Sequence, residues 1–471
     1  MKRYISNILV LGVILVGVSS CTSDEFLDEK PFDQLDQAVA FADANLVNAA
    51  VTAGYDMMSR VTYYGRDFVI ASEAMADGVD LKPDNSNRFT SEYRYSTIAE
   101  DGDANGIYAR IYRAVASANG IIENIGNCTS CTQNEIDEAL GHAYAIRAIA
   151  HFDALRFFAF PYNTTDASVA PGANGAGGNL GVAYRLTTGT ELPVRGTVAE
   201  NFANIIADLK TAESSFVTEG AALGSTFSRN AVKALLSRVY LYMEDWANAK
   251  SYADQVIGSG AYTLVPNSSY AGSWNGLGSS ETIFQMVYSE TDNLATTGLS
   301  YIYIDEGYGD FIPTQELLNM FSGSDVRNGW FRTLGDGLVY TYKLPGRDGQ
   351  PGLNDIPVIR LSEMYLNKAE AEFHLGNISD AQDALDVIAQ RADAALPDNA
   401  STGAPLLADI LNERRKELAF EGHRLFDVNR NKLDMNRLFT GPITYPNCLT
   451  IYPVPADETN VNENMDQNEC Y

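Results

Sequence analysis

The chain has 471 residues, of which 45% are hydrophobic and 20% are charged. This composition excludes a disordered chain, a collagen-like fibre and a small disulfide-stabilised domain, because the apolar side chains suffice for a large core. Lys and Arg number 33 against 61 Asp and Glu, which gives a net charge of −28. So acidic a chain argues against nucleic-acid binding and against electrostatic adhesion to an anionic membrane, since both need an excess of cations.

The first residues have the pattern of an export signal. Two basic residues precede a mostly apolar stretch over 5–18, which is too short to span a bilayer comfortably. The Val-Ser-Ser-Cys that ends at Cys21 is similar to a bacterial lipobox, whose Cys receives diacylglycerol before cleavage. We therefore predict that residues 1–20 are removed and that Cys21 carries the lipid. An ordinary secretory signal with an incidental Cys is the alternative.

An acidic segment follows the predicted lipidation site. Residues 21–35 include four closely spaced carboxylates, at Asp24, Glu25, Asp28 and Glu29. Such a segment is either a solvated tether or an address for the outer face of the outer membrane. Removal of the two basic residues with the signal makes the net charge of the remaining chain −30.

The other cysteines suit an oxidising compartment. They are Cys128, Cys131, Cys448 and Cys470, an even number that predicts two disulfides, Cys128–Cys131 and Cys448–Cys470. The CxxC could instead serve redox chemistry or bind zinc. A second CxxC and a thioredoxin-like strand before it are both missing from the sequence, which favours a structural disulfide.

Apolar residues recur at helical spacing through much of the chain and predict a mainly α fold. Two segments resemble one another, one beginning at Ala231 and the other at Arg360. In each, a helix and a tight turn precede an Ala, Ala249 or Ala381, placed 132 residues apart. Such hairpins resemble tetratricopeptide repeats, in which small residues let paired helices nest closely. We predict a right-handed superhelical scaffold of these hairpins, with long irregular loop-rich excursions and little β structure.

The predicted organisation is one body over residues 21–471. The helical scaffold occupies about 36–258 and 359–430. Between them lies a loop-rich, ligand-facing excursion over about 259–358, and a C-terminal segment spans 431–471.

Three motifs carry a resemblance to the SusD/RagB family of Bacteroidetes outer-membrane lipoproteins. They are RLSEMYLNKAEAEFHLGN (360–377), ERRKELAFEGHRLFDVNR (413–430) and IYPVPADETNVNENMDQNECY (451–471). The lipobox and the FLDEKP behind it fit the same family, so the resemblance runs nearly end to end. One departure is the terminus, where Asn-Glu-Cys-Tyr replaces the usual Asn-Pro-Gly-Tyr. A disulfide at Cys470 would replace the rigidity of that turn.

The resemblance implies a surface-exposed, lipid-anchored protein that captures glycans or oligosaccharides and closes, as a lid, over a SusC-like TonB-dependent transporter of the outer membrane. It implies no catalysis and no cofactor. Two alternatives stay open: the same lid with a peptide cargo, and a glycoside hydrolase. Common sequence motifs of hydrolases and nucleotide-binding sites, such as HExxH, GxSxG and the P-loop, are missing from the sequence.

The middle motif is rich in charges of alternating sign, from Glu413 to Arg430. In so large a body some of these charges must be buried, and a buried charge persists only when it is paired. The sequence therefore predicts an ion-pair lattice that joins the last helices to the repeats. Catalysis by Glu417, Glu421 and His423 is the alternative.

One string resembles a calcium loop. Asp101, Asp103 and Asn105 match its first positions, but Tyr112 stands where a bidentate Glu should be. An N-cap for the helix that begins near 107 explains the same residues. The sequence therefore predicts no bound metal. If calcium does bind, Asp101, Asp103 and Asn105 are the candidate ligands.

Aromatic rings and polar side chains that could stack on sugars and hydrogen-bond to hydroxyl pairs concentrate in two regions, 63–95 and 270–310. Trp274 lies between Gly and Ser residues, so we expect few packing neighbours for it and place it first among the candidates. The full set of predicted ligand-binding residues is Trp274, Asn275, Tyr301, Tyr303, Tyr308, Tyr63, Tyr64, Arg66, Asp84, Asn85, Arg88 and Tyr93.

Overall fold

The computed structural model describes residues 40–165 and 178–471. The predicted signal over 1–20, Cys21 and the acidic segment over 21–35 therefore lie outside the described residues. The α-helices are α1 (Ala44–Ser59), α2 (Asp67–Ala74), α3 (Thr90–Arg94), α4 (Gly102–Asn124), α5 (Gln133–Phe158), α6 (Val198–Ser215), α7 (Arg229–Tyr242), α8 (Trp246–Gly258), α9 (Asn267–Ser273), α10 (Ser300–Tyr303), α11 (Gln315–Leu318), α12 (Leu361–His374), α13 (Ile378–Ala392), α14 (Ala404–Glu417), α15 (Arg424–Arg430) and α16 (Ala456–Val461). The strands are β1 (Val79–Leu81), β2 (Thr282–Met286), β3 (Phe311–Pro313), β4 (Phe331–Thr333), β5 (Val339–Thr341) and β6 (Ile356–Arg360).

Two long helices begin at capping boxes that the sequence encodes. At the start of α5, the Glu135 amide donates to the Thr132 hydroxyl at 3.4 Å, and the Thr132 amide donates to the Glu135 carboxylate at 2.8 Å. Thr197 and Glu200 repeat this arrangement at the start of α6. Each pair satisfies N–H groups that the first helical turn leaves without partners.

The predicted helical hairpins are present. Helix α7 packs against α8, α12 against α13, and α4 against α5. Ala249 and Ala381, the residues predicted at the close approaches, are fully buried, and the Ser237 hydroxyl donates to the Ala249 carbonyl at 3.0 Å across the α7–α8 contact. The mainly helical fold is thus confirmed, whereas the right-handed superhelix stays a prediction. Within the described ranges, no helix combines the length and the apolar character needed to cross a bilayer.

The β structure consists of short antiparallel pairs: β1 with β3, β2 with β6, and β4 with β5. The β1–β3 pair joins two segments that are more than 200 residues apart, with Leu81 opposite Phe311. This pairing brings the loop after β1 next to the turn before β3.

A network of buried ion pairs centres on Glu417, at the end of α14. Its carboxylate lies 2.6 Å from both Arg360 and Arg391 and 3.0 Å from Arg327. Burial alone would raise the pKa of Glu417, but the three guanidinium groups outweigh it and hold that pKa well below its usual range. The carboxylate is therefore ionised.

The network continues through the rest of the middle motif. Arg414 lies 2.8 Å from Asp427, and Arg430 pairs with both Asp427 and Glu370. Because Glu370 belongs to α12, these pairs tie α15 to a repeat helix. The predicted ion-pair lattice is confirmed.

The end of the chain is fastened to the body. A disulfide joins Cys448 to Cys470, and another joins Cys128 to Cys131. The side-chain amide of Asn468 donates to the Phe158 carbonyl at 2.9 Å, and the Tyr471 hydroxyl donates to the Ile451 carbonyl at 2.9 Å.

Candidate ligand-binding surface

Two of the predicted ligand-binding tyrosines lie in the core. Tyr63 and Tyr64 stack with ring centroids 4.6 Å apart, and both hydroxyls donate to the same Asp153 oxygen at 2.6 Å. Asp153 is also paired with Arg156. The prediction that Tyr63 and Tyr64 face a ligand is corrected. Both side chains are buried, and their hydroxyls supply hydrogen bonds that the buried Asp153 carboxylate needs.

Tyr93 and Tyr303 are also interior residues. Tyr93 donates to Asp80 at 2.9 Å, and Tyr303 packs against Phe420 with centroids 5.6 Å apart. Tyr303 is 1% exposed, whereas Tyr301, two positions earlier on α10, is half-buried. The two cannot act as a pair toward a ligand, since residues two apart on a helix point in different directions.

Trp274 does not stand in an open loop as expected. It follows α9 directly and meets Trp330 edge-to-face at 5.8 Å. The Lys343 ammonium lies 4.5 Å from its ring centre and the Arg360 guanidinium 5.5 Å. Both cations belong to the buried ion-pair network, because each pairs with Glu421 of the middle motif. The half-buried Trp274 ring therefore packs against that network. The neighbouring Asn275 is exposed, and its side chain accepts the Leu277 amide at 3.2 Å.

Three further candidates are Arg66, directly before α2, and Asp84 and Asn85, in the loop after β1. Arg66 is committed to Asp67 at 2.6 Å. Asn85 shapes the loop, since its side chain donates to the Lys82 carbonyl at 2.8 Å. Asp84 is exposed.

The structure brings part of the two predicted regions together in one place, which we call the tyrosine patch: Lys82, Arg88, Tyr301 and Tyr308. The Arg88 guanidinium lies 3.7 Å from the centre of the Tyr308 ring. The Tyr308 and Tyr301 rings are 5.8 Å apart at an angle of 57°. All four side chains are half-buried, so each retains a face toward solvent.

The backbone fixes the tyrosine patch. The Tyr308 amide donates to the Tyr301 carbonyl at 2.6 Å, which folds the turn after α10 back onto the helix. Lys82 donates from its amide to the Asp310 carbonyl at 2.8 Å and from its ammonium to the Tyr308 carbonyl at 3.0 Å. The strand pairing of β1 with β3 thus places Arg88 over Tyr308.

The turn between the two tyrosines needs glycine. A Cβ on Gly307 would lie 2.5 Å from the Tyr301 carbonyl oxygen, and Gly309 has a φ of +54° with its missing Cβ 2.7 Å from the Tyr340 ring. Side chains at either position would push Tyr308 away from Tyr301.

The hairpin formed by β4 and β5 flanks the tyrosine patch and contributes residues that were not among the predicted ligand-binding residues. On it the Arg332 guanidinium lies 3.7 Å above the Tyr342 ring, and the Lys82 ammonium lies 5.8 Å from the Tyr340 ring. Tyr340 and Tyr342 are buried. Their alternation in VYTYK was the available signal, since alternate residues of a strand share one face.

Carboxylates balance the cation at this hairpin. The Tyr342 hydroxyl donates to Asp305 and, at 3.0 Å, to Glu306. Burial and the neighbouring Asp305 raise the pKa of Glu306, although Arg332 opposes the effect. Arg332 therefore lies in the field of Glu306, whereas no carboxylate in the described part of the chain forms an ion pair with Arg88.

Two of the three calcium candidates, Asp101 and Asp103, stay together in the structure, whereas Asn105 contacts another segment. Asp101 caps α4 by accepting the Asp103 amide at 3.1 Å, while the Asn105 side chain donates to Asp457 at 2.6 Å. Glu92, rather than Asn105, lies beside the two aspartates, and carboxylate oxygens of Glu92, Asp101 and Asp103 lie within 4.8 Å of one another. Burial and the two aspartates raise the pKa of Glu92 to about 8, and burial and Asp67 raise that of Asp103 to about 6. Protonation of Glu92 can therefore stabilise this trio, while calcium binding by Asp101, Asp103 and Asn105 stays untested.

Comparison with known proteins gives consistent matches over most of the chain. Residues 25–241 match the family model described as "Starch-binding associating with outer membrane", and residues 335–447 match the model of the SusD family. A SusD-like protein, P2, of Formosa agariphila is 24% identical over 99% of both chains. The starch-binding protein SusD of Bacteroides thetaiotaomicron is 30% identical over 125 residues, which cover 25% of this chain and 22% of that protein.

The solved structures agree. A SusD superfamily protein from Bacteroides vulgatus superposes with a TM-score of 0.83 at 28% identity, covering 92% of this chain and 100% of that one. The described architecture is thus that of a mainly helical SusD-type protein. The chain belongs to the SusD/RagB family.

Proposed function

We propose that this protein binds glycans at the outer membrane and that the tyrosine patch is its ligand-binding surface. One observation carries the proposal: the rings of Tyr301 and Tyr308 are only partly buried and lie 5.8 Å apart, with the Arg88 guanidinium 3.7 Å from the Tyr308 ring. Pyranose rings stack on such aromatic faces, and a guanidinium can donate to adjacent hydroxyls. The family model's description as starch-binding and the name of the relative SusD support a carbohydrate ligand.

The proposal includes the location and the partner. The protein is anchored by a lipid on Cys21, faces the outside of the cell and closes over a SusC-like TonB-dependent transporter. The family's association with the outer membrane supports the location. A lid passes its ligand on without changing it, so no catalysis is required.

Histidine contacts support a role without acid–base chemistry. His142 is hydrogen-bonded to Tyr55 at 2.7 Å, and both ring nitrogens of His151 are engaged, with the Arg147 carbonyl and the Arg185 amide. Burial lowers the pKa of His142 to about 4 and that of His151 to about 3. These histidines therefore stay neutral and structural.

Retention of the purified protein on immobilised polysaccharides tests the proposed surface. We expect a modest, micromolar affinity for a polysaccharide, because a half-open surface of a few rings buries little area. Tyr308→Ala should abolish retention and Tyr301→Ala should weaken it. Tyr365→Ala, which changes another half-buried tyrosine, on α12, is the matched control and should bind as the native protein does. Equal binding by Tyr308→Ala and the native protein would refute the assignment of the site.

Two further measurements separate the alternatives. Calorimetry with oligosaccharides and with peptides distinguishes a glycan cargo from a peptide cargo. Incubation with a labelled glycan should release no product, whereas release would establish a glycoside hydrolase.

A further inference from the structure

The cations of this protein are distributed unevenly between its interior and its proposed binding surface. In the buried network, arginines are paired with carboxylates, as in the contacts of Arg327, Arg360 and Arg391 with Glu417. A chain with a net charge of −28 has carboxylates in excess, so partners for arginine are plentiful. An arginine at the proposed binding surface that lacks such a partner keeps its charge available for a ligand.

Arg88 is such an arginine. Among residues 40–165 and 178–471, no carboxylate oxygen lies within 4.0 Å of its guanidinium, and no protein group accepts a hydrogen bond from it. Its single close contact of note is the Tyr308 ring at 3.7 Å. Contact with the ring face uses none of the five N–H donors of the guanidinium.

Arg94 repeats the arrangement at the other end of α3. Its guanidinium lies 5.1 Å from the Phe439 ring, and it is exposed and without a carboxylate partner in the described chain. Phe439 is 64% exposed and also meets Tyr93. Two arginines, each held on an aromatic ring, therefore stand at either end of one short helix.

We propose that the glycan bound at the tyrosine patch is acidic, and that Arg88 binds its carboxylate or sulfate group. A guanidinium matches both groups because its parallel N–H donors can engage two oxygens at once. The inference rests on the proposed glycan-binding function and adds the charge of the ligand to it.

The acidity of the whole protein does not prevent this. Charges more than about 8 Å apart are largely screened at physiological ionic strength. An anion on Arg88 is therefore governed by its nearest groups. Among the carboxylates of the segments around Arg88, Asp84 is exposed, Asp310 accepts the Ser86 amide at 2.8 Å, and Asp80 accepts from Tyr93. Asp305 and Glu306 lie at Tyr342, next to Arg332.

Matched polysaccharides test the inference. The probes are polygalacturonate with its carboxyl-reduced form, carrageenan with its desulfated form, and amylopectin as a neutral glycan. We expect at least one charged form to bind about tenfold to a hundredfold more tightly than its neutral counterpart, which is the range for hydrogen bonds to a charged group. The carboxylate and sulfate arms identify which anion is preferred.

Variants locate the preference. Arg88→Gln should remove the difference between charged and neutral forms and reduce the salt dependence of binding, while Arg88→Lys should retain part of it, because Lys keeps the charge without the fork. Arg113→Gln, an exposed arginine on α4, is the matched control and should change nothing. A charge preference that survives in Arg88→Gln, or binding of the neutral forms alone, overturns the inference but leaves glycan binding standing. If the native protein retains no glycan at all, both the inference and the proposed function fail.

Discussion

The Glu417 carboxylate and the Arg391 guanidinium lie 2.6 Å apart, and this ion pair is buried between two different helices, α14 and α13. Arg360 shares the same Glu417 oxygen at 2.6 Å. A carboxylate between several guanidinium groups is stable only while all partners are present, because desolvation penalises each charge that loses its counter-charge.

Glu417→Gln should therefore destabilise the protein strongly. We expect the free energy of unfolding to fall by about 3–5 kcal/mol, the range for breaking a buried pair by removing one partner. Denaturant titration measures it. The exposed pair Arg60–Asp56 provides the control, and Asp56→Asn should cost less than about 1 kcal/mol. Similar losses for the two variants would contradict the structural role of the network.

The two core tyrosines separate stability from binding. In Tyr64→Phe, Asp153 loses a hydrogen-bond donor inside the protein, so the free energy of unfolding should fall by about 1–3 kcal/mol. Glycan retention by the folded fraction should be unchanged. Weaker retention at unchanged stability would return Tyr64 to the binding surface.

Trp274→Ala should act in the same way. Removing a large ring that packs against Trp330 leaves a cavity, and about 3 kcal/mol of stability should be lost. Thermal unfolding monitors this, and retention on polysaccharide at a temperature where the variant is folded should match that of the native protein. Loss of retention by well-folded Trp274→Ala would restore this residue as a ligand contact.

Glu92 should make stability depend on pH. Its pKa rises from an ordinary value near 4.5 to about 8 in the folded protein, chiefly through burial. The folded state then binds more protons than the unfolded state between these two values, so this group lowers the free energy of unfolding as pH rises through that window, by about 1.4 kcal/mol per pH unit. The contribution is fully favourable only below the unfolded pKa.

Glu92→Gln should flatten this profile, because Gln does not titrate. Denaturant titrations from pH 5 to pH 8 compare it with Glu100→Gln, which changes an exposed residue and should follow the native profile. A native profile that is flat, or one that rises with pH and is unaffected by Glu92→Gln, would contradict the shifted pKa.

The sequence predicts the helices well and the site only in part. Helical hairpins follow from local periodicity, and the small Ala249 and Ala381 indicate where helices meet. The charges of the middle motif predict a lattice, but their partners Arg327 and Arg360 come from segments 90 and 57 residues away from Glu417, which no local pattern specifies.

Several candidate aromatics pack against distant segments that the local sequence does not reveal. The Gly and Ser residues around Trp274 suggested an open loop, but Trp330, far along the chain, covers that ring. Tyr63 and Tyr64 lie in an irregular helical turn whose burial depends on Asp153, about 90 residues away. Conversely, Arg88 and Tyr308 come from separate predicted regions, and only the β1–β3 pairing unites them.

The bond between Cys448 and Cys470 has a consequence for the segment that it encloses, which contains α16. The bond keeps the two ends of this segment together even when α16 unravels, so the segment gains less conformational entropy on unfolding than an open chain would.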